Sequence, residues 1–164
     1  MHENDAEAWW RLRRVALETE PQSFAESAAE HDGKTLENTR AYFRSFAADD
    51  FIAGAFDQGA LAGMAGFYRQ KHAKFRHKGH IWGVYVKRES RRQGVARAVM
   101  ADVIRRAGQA GGIEQITLTV SATQPAARQL YLSLGFKMYG VEPRSLKIDG
   151  EYVDDELMVL FLGL

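Results

Sequence analysis

The sequence predicts a mixed α/β fold in a single domain over residues 1–164, on three observations. The chain has 164 residues, 46% hydrophobic and 26% charged, enough for one ordinary domain with its own core. Its first third places apolar residues at helical spacing, after which small and large apolar residues alternate as in strands. From residue 80 onward, strand-type and helix-type runs alternate and close on a hairpin, as expected of a sheet packed with helices. Nine Phe, six Tyr and three Trp beside only three Pro exclude a disordered or fibrous chain.

Residues 5–19 bring Trp9, Leu12, Ala16 and Leu17 onto one helical face, with Asp5 placed to cap the start. Pro21 ends that helix. Ser23 or a neighbour is expected to cap a short second one, SFAESAAEH, which stops near Gly33. A third helix follows its cap Thr35 and runs to about residue 47. Residues 51–68, FIAGAFDQGALAGMAGFY, read as a hairpin turning at Asp57-Gln58-Gly59, where glycine supplies a positive φ. QKHAKFRHKGH is a polar basic loop, and HIWGVYV (80–86) is a buried strand. Between Gly94 and Gly111, Val99, Met100, Val103, Ile104 and Ala107 form an apolar helical face, and ITLTV (116–120) is β-rich. Pro125 to Leu134 is a compact helix, with proline suited to its first turn and Gly135 just beyond its end. In the tail, Asp149-Gly150 is a type I′ turn signal between two strands.

The formal net charge of +1 conceals a segregation. Residues 1–68 hold six Lys/Arg against twelve Asp/Glu, whereas residues 69–97 hold ten against the single Glu89. The total excludes a protein coated for polyanions but leaves room for one strongly basic site. The absence of cysteine excludes disulfides, thiolate metal sites and a thiol nucleophile. His72, His77 and His80 lack the spacing of a metal site, so no metal is expected. The first residues are acidic where a signal peptide would be basic, and no apolar run approaches the roughly 18–20 residues of a membrane span. The expectation is a soluble cytoplasmic protein with no membrane partner.

The most informative stretch runs from Val84-Tyr85-Val86 through a basic loop to Arg91-Arg92-Gln93-Gly94-Val95-Ala96. A buried strand ends there and an amphipathic helix begins, with the free N–H groups and positive dipole end of its first turn. Gly94 and Ala96 would let a phosphate approach, and Arg91 and Arg92 add planar donors suited to it. Neither a P-loop nor a GxGxxG pattern is present.

Arg91 to Ala96 resembles the [Q/R]xxGx[G/A] motif of the GCN5-related N-acetyltransferases (GNAT family). Ala126-Ala127-Arg128-Gln129-Leu130-Tyr131-Leu132-Ser133-Leu134-Gly135-Phe136 is similar to that family's (N)xxAxxLYxxxGF segment. The resemblance implies a mixed, mostly antiparallel central sheet flanked by helices and splayed between strand 80–87 and strand 116–120. Acetyl-CoA would bind in the opening as cosubstrate. Backbone groups of Val84-Tyr85-Val86 would hold the pantetheine arm and polarise the thioester carbonyl. N–H groups of residues 92–96, with the Arg91 and Arg92 side chains, would hold the pyrophosphate. Tyr131 falls on the tyrosine that protonates the departing thiolate. The family often has Asn where this chain has Gln124, which keeps the amide with one more methylene and is a candidate pantetheine contact.

The general base is not legible. His80 has a suitable intrinsic pKa, and Glu18, Glu20, Asp154, Asp155 and Glu156 are further candidates. Phe24, Trp82 and Tyr152 are candidate lining for the acceptor, a primary amine on a small molecule or peptide. The acidic first third suggests a cationic amine. Two rival functions remain at this level: a catalytically silent acyl-CoA sensor, and a nucleic-acid module using the basic 69–97 segment, although the chain lacks an HTH, RRM or zinc-finger pattern. Many relatives dimerise, which leaves a homodimer open. The basic loop 69–80 reads as a solvated connection or as a lid on the acceptor side.

Overall fold

A computed structural model describes residues 1–163. Eleven elements follow in order: α1 (Ala6–Thr19), α2 (Ala28–Asp32), α3 (Leu36–Arg44), β1 (Phe51–Asp57), β2 (Ala60–Arg69), β3 (Lys78–Val86), α4 (Val95–Gln109), β4 (Gln115–Ser121), α5 (Pro125–Ser133), β5 (Lys137–Ile148) and β6 (Glu151–Phe161). The strands form one six-stranded sheet in the order β1-β2-β3-β4-β6-β5. Every neighbouring pair is antiparallel except β3 and β4, which run parallel. This is the mixed, mostly antiparallel sheet flanked by helices that the family resemblance implies. No helix of the described residues is long and apolar enough to cross a membrane.

Two apolar clusters lie in the molecule. Trp9, Leu12, Ala16 and Leu17 of α1 pack with Phe24, Phe43, Ile52, Leu61, Met64 and Tyr85. Val99, Met100, Val103 and Ala107 of α4 pack with Phe67, Ile81, Ile116, Leu118, Tyr131 and Phe136. Both hairpin turns put two consecutive residues at positive φ, Gln58 and Gly59 (46° and 83°) and Asp149 and Gly150 (49° and 89°), as type I′ turns require.

The second helix departs from expectation. Ser23 does not cap it: Pro21–Ser23 is a 3-10 turn, Phe24 is extended, and Ser27 caps the five-residue α2. The chain offers two S-x-x-E boxes, Ser23 with Glu26 and Ser27 with Glu30. Glu26 is drawn instead to Arg13 and Lys34, so the second box forms, with Glu30 N–H donating to Ser27 Oγ at 3.2 Å. The result leaves Phe24 on irregular chain, facing the sheet. Asp5 sits at the start of α1, but its carboxylate accepts from the His2 N–H (2.8 Å) rather than capping the helix. Strand β3 begins at Lys78, two residues before the sequence signal.

Candidate active site

The site is an opening in the sheet. Parallel pairing of β3 with β4 covers only Lys78, Gly79 and His80 against Gln115, Ile116 and Thr117. Past that point the strands separate. Gly83 has φ +64°, and the β2–β3 register shifts there, so Ala65 faces two residues, Gly83 and Val84. Such a bulge sharpens the local twist, which turns the end of β3 away from β4. On the opposite side of β3, Gly66 makes room for Trp82: a Cβ at Gly66 would lie 2.1 Å from the indole Cε2.

The opening holds a cleft of about 610 Å³. Its first wall is the end of β3 with Val84, Tyr85 and Val86, then Arg91, Arg92 and the Gly94-Val95-Ala96 start of α4. Its second wall comes from β4 and α5, including Gln124, Leu130 and Tyr131. Glu20, Ser23 and Phe24 close one end.

The first wall is shaped by backbone. Arg92 (φ 62°) and Gly94 (φ 80°) are both left-handed. No side chain of the described residues caps α4, so the first N–H groups of this 15-residue helix are free of capping oxygens and its positive dipole end faces the cleft. Gly94 takes a φ that a side chain would strain, and a Cβ there would meet no protein atom within 4 Å. Arg91 Nε donates to the Val86 carbonyl (3.0 Å) and its Nη2 to Glu20 (2.9 Å), which ties the loop to the strand end. The Gln93 side chain turns away and donates to the Glu89 carbonyl, so Gln93 can offer the cleft only backbone. The Tyr85 hydroxyl is engaged with Thr19 Oγ1 at 3.0 Å.

Tyr131 is fixed by the way α5 ends. The Gly135 N–H donates to the Leu132 carbonyl and the Phe136 N–H to that of Tyr131, with Gly135 at φ +93°. This is a Schellman motif, and the Phe136 ring packs edge-on against Tyr131 at 6.1 Å. The LYxxxGF pattern is thus a helix stop that positions the tyrosine. Tyr131 is 5% exposed and lines the cleft. Burial pushes its pKa well above that of an ordinary tyrosine, so it stays protonated.

The candidate bases separate sharply. His80 sits at the closed end of the opening, bonded to Thr117 Oγ1 at 3.0 Å, and does not line the cleft. Burial lowers its pKa. Glu18 pairs with Arg14, Asp154 accepts from the Arg144 N–H, Asp155 from Ser145, and Glu156 from Arg128; none lines the cleft. Glu20 alone does. Its carboxylate spans the walls, taking Arg91 on one oxygen and Gln124 Nε2 (2.9 Å) and Gln22 on the other. Burial pushes the Glu20 carboxyl up, but hydrogen bonds from Gln124 and Arg91 and the charge of Arg91 bring it below its ordinary range. Glu20 is therefore a firmly ionised tie between the walls and a weak base.

Of the expected acceptor residues, Phe24 and Trp82 line the cleft and Tyr152 does not. Tyr152 stands 53% exposed near the β5–β6 turn, beneath Arg144 and Lys147. Its strand pairs with β5 at the sheet edge, which carries it out of reach of the opening. The basic loop is clipped down rather than free: Arg69 and Arg76 both reach Asp49, at 3.0 and 3.8 Å. No group of three or more His, Cys, Asp or Glu among the described residues is placed to hold a metal. Sequence reading missed the bulge at Gly83 and the bridging role of Glu20. A glycine inside the apolar run IWGVYV was the available signal for the first; contacts between residues 20, 91 and 124 leave none.

The acetyltransferase (GNAT) family profile matches residues 6–136, and the chain belongs to that family. No curated protein matches it. Among solved structures, it resembles the GNAT-family acetyltransferase of Streptococcus pneumoniae (22% identity, TM-score 0.88, covering 99% of this chain and 96% of that one). It also resembles yncA of Salmonella typhimurium, solved with its cofactor acetyl-CoA (19%, TM-score 0.87, 100% and 92%). A third is the ribosomal-protein-alanine N-acetyltransferase of Brucella melitensis (22%, TM-score 0.85, 99% and 97%). At these identities the likeness is one of fold.

Proposed function

We propose that the protein, one domain over residues 1–164, transfers the acetyl group of acetyl-CoA directly to a primary amine of a small molecule or peptide. The observation that carries this reading is the pairing, across one cleft, of an uncapped helix start flanked by Arg91 and Arg92 with a buried, protonated Tyr131. The residues fit the cosubstrate. The left-handed turn at Arg92 and Gly94 and the open N-terminus of α4 suit a pyrophosphate. The β4-facing edge of β3 from Ile81 to Val86, left without a strand partner, suits an amide-bearing arm, and Gln124 offers a side-chain amide opposite. When bound, acetyl-CoA supplies a thioester open to attack by an amine.

The chain's part is to position, polarise and donate. The β3 edge after the bulge presents backbone to the reacting carbonyl, where preorganised donors stabilise developing charge. Tyr131 donates its proton to the leaving sulfur. Burial disfavours a tyrosinate and a thiolate alike, so the donor remains matched to its task inside the cleft. None of His80, Glu18, Asp154, Asp155 and Glu156 reaches the cleft, and Glu20 is held ionised by its donors. The amine accordingly arrives neutral or loses its proton to solvent. A mass-spectrometric screen of amines with acetyl-CoA tests the reading: products heavier by one acetyl group support it. Acetyl-CoA that binds without any product across the panel marks a sensor instead.

A further inference from the structure

Arg13 of α1 is, among the described residues, the sole Lys or Arg that is buried, at 7% exposed. Its Nε and Nη2 both donate to one oxygen of Glu26, Oε2, at 3.2 Å. Its Nη1 is shut from solvent and has no hydrogen-bond partner among the described residues. Buried donors are nearly always paired, and an unpaired guanidinium N–H is a donor waiting for an oxygen. The charge is also unbalanced. Glu26 gives its other oxygen to Lys34 at 2.5 Å, so one carboxylate serves two cations.

The orphaned group lies against the active cleft. Nη1 is 3.3 Å from where a Cβ on Gly83 would stand. The guanidinium carbon lies 4.4 Å from the centre of the Phe24 ring and 6.0 Å from that of Trp82. Phe24, Trp82 and Gly83 all line the cleft. Phe24 covers the guanidinium from an extended position after the 3-10 turn, outside any α-helix. Arg13 itself does not line the cleft, so a ligand would meet Nη1 only with Phe24 displaced.

We propose that Arg13 anchors a carboxylate on the acceptor, so that the amine acetylated belongs to an amino-bearing carboxylic acid. The planar fork of arginine matches a carboxylate, and a second anion balances the charge that Glu26 leaves over. Gly83 admits the approach because a side chain there would crowd Nη1. The inference rests on the acetyltransferase reading and narrows its substrate class. It replaces the cationic amine suggested by the acidic first third, because Glu20 and Glu26 are both committed to donors within the protein.

The test compares amino acids with their carboxamides in thiol release from acetyl-CoA, each corrected to its concentration of neutral amine. Wild-type protein is expected to favour the acid by at least tenfold in KM. Arg13→Gln is expected to bring that ratio close to one while changing kcat/KM for the amide less than threefold. Equal KM values for acid and amide in the wild type, or an equal loss for both in the variant, overturns the anchor and leaves the acetyltransferase reading intact. Should Arg13→Gln fail to fold, Glu26→Gln removes the internal counter-charge and is expected to lower KM for the acid alone; an unchanged or raised value overturns the proposal. Should no amine release thiol, the acetyltransferase reading has failed. The anchor is then read from quenching of tryptophan fluorescence by N-acetyl amino acids against their amides, and equal quenching overturns it.

Discussion

The wall formed by the end of β3 and the start of α4 presents mainly backbone, whereas the end formed by residues 20–27 presents side chains. On the first, the left-handed residues Arg92 and Gly94 and an uncapped helix start face the cleft. On the second, Glu20 is tied to Arg91 and Gln124, and Phe24 lies over Arg13. Backbone recognition requires a few residues at fixed spacing and tolerates change around them. Side-chain recognition depends on which residues meet across the fold. The first kind suits a cosubstrate common to a family, and the second suits an acceptor that differs from member to member.

Reversing charge with Arg91→Glu and Arg92→Glu together should weaken acetyl-CoA binding on the order of 10²-fold, since each charge-assisted contact to phosphate contributes about 1.5–3 kcal/mol. Calorimetric titration reads this, and an unchanged affinity would remove the arginines from the cradle.

A smaller effect is expected where the two walls share a support. Gly66→Ala places a Cβ 2.1 Å from the Trp82 ring, which cannot yield as a flexible chain would. Overpacking of this kind costs about 1–3 kcal/mol. The denaturation midpoint should fall, and KM for the acceptor should rise more than the Kd for acetyl-CoA.

Glu20→Gln should have the smallest effect. Its carboxyl is held below the ordinary range in the folded protein, so its contribution is present above the unfolded pKa and is lost as pH falls through the folded one. With Arg91 40% exposed, solvent screening limits the tie to about 0.5–1 kcal/mol. The variant should be slightly less stable at pH 7 and lose less stability between neutral pH and pH about 4. A variant that follows the wild-type acid curve would show the tie to be inert.

Legibility in the sequence follows the same division. Residues 91–96 and 126–136 could be read because each pattern encodes local geometry: a left-handed turn into a helix, and a Schellman stop that fixes Tyr131. The sheet was legible from alternation and from two hairpin turns, at Asp57-Gln58-Gly59 and Asp149-Gly150. The placement of Phe24 was not, because two equivalent capping boxes compete and the choice is made by Arg13 and Lys34, which bind Glu26. Tyr152 was misplaced because its surroundings depend on the pairing of β5 with β6 at the sheet edge rather than on its neighbours in sequence. Arg13 gave no signal at all, since an arginine on an amphipathic helix reads as solvated.

The proposed role of Tyr131 is to give up a proton during acetyl transfer and to do little for binding. It is tested most directly by measuring amine-dependent thiol release and acetyl-CoA affinity in parallel for the wild type and Tyr131→Phe. Loss of a general acid lowers turnover by about 10²–10⁴-fold, and the account predicts that fall with a Kd for acetyl-CoA within about threefold of the wild type. Because burial raises the Tyr131 pKa, wild-type turnover should show no loss from its ionisation up to about pH 10. Undiminished turnover in Tyr131→Phe, or a loss explained entirely by weaker binding, would contradict the account.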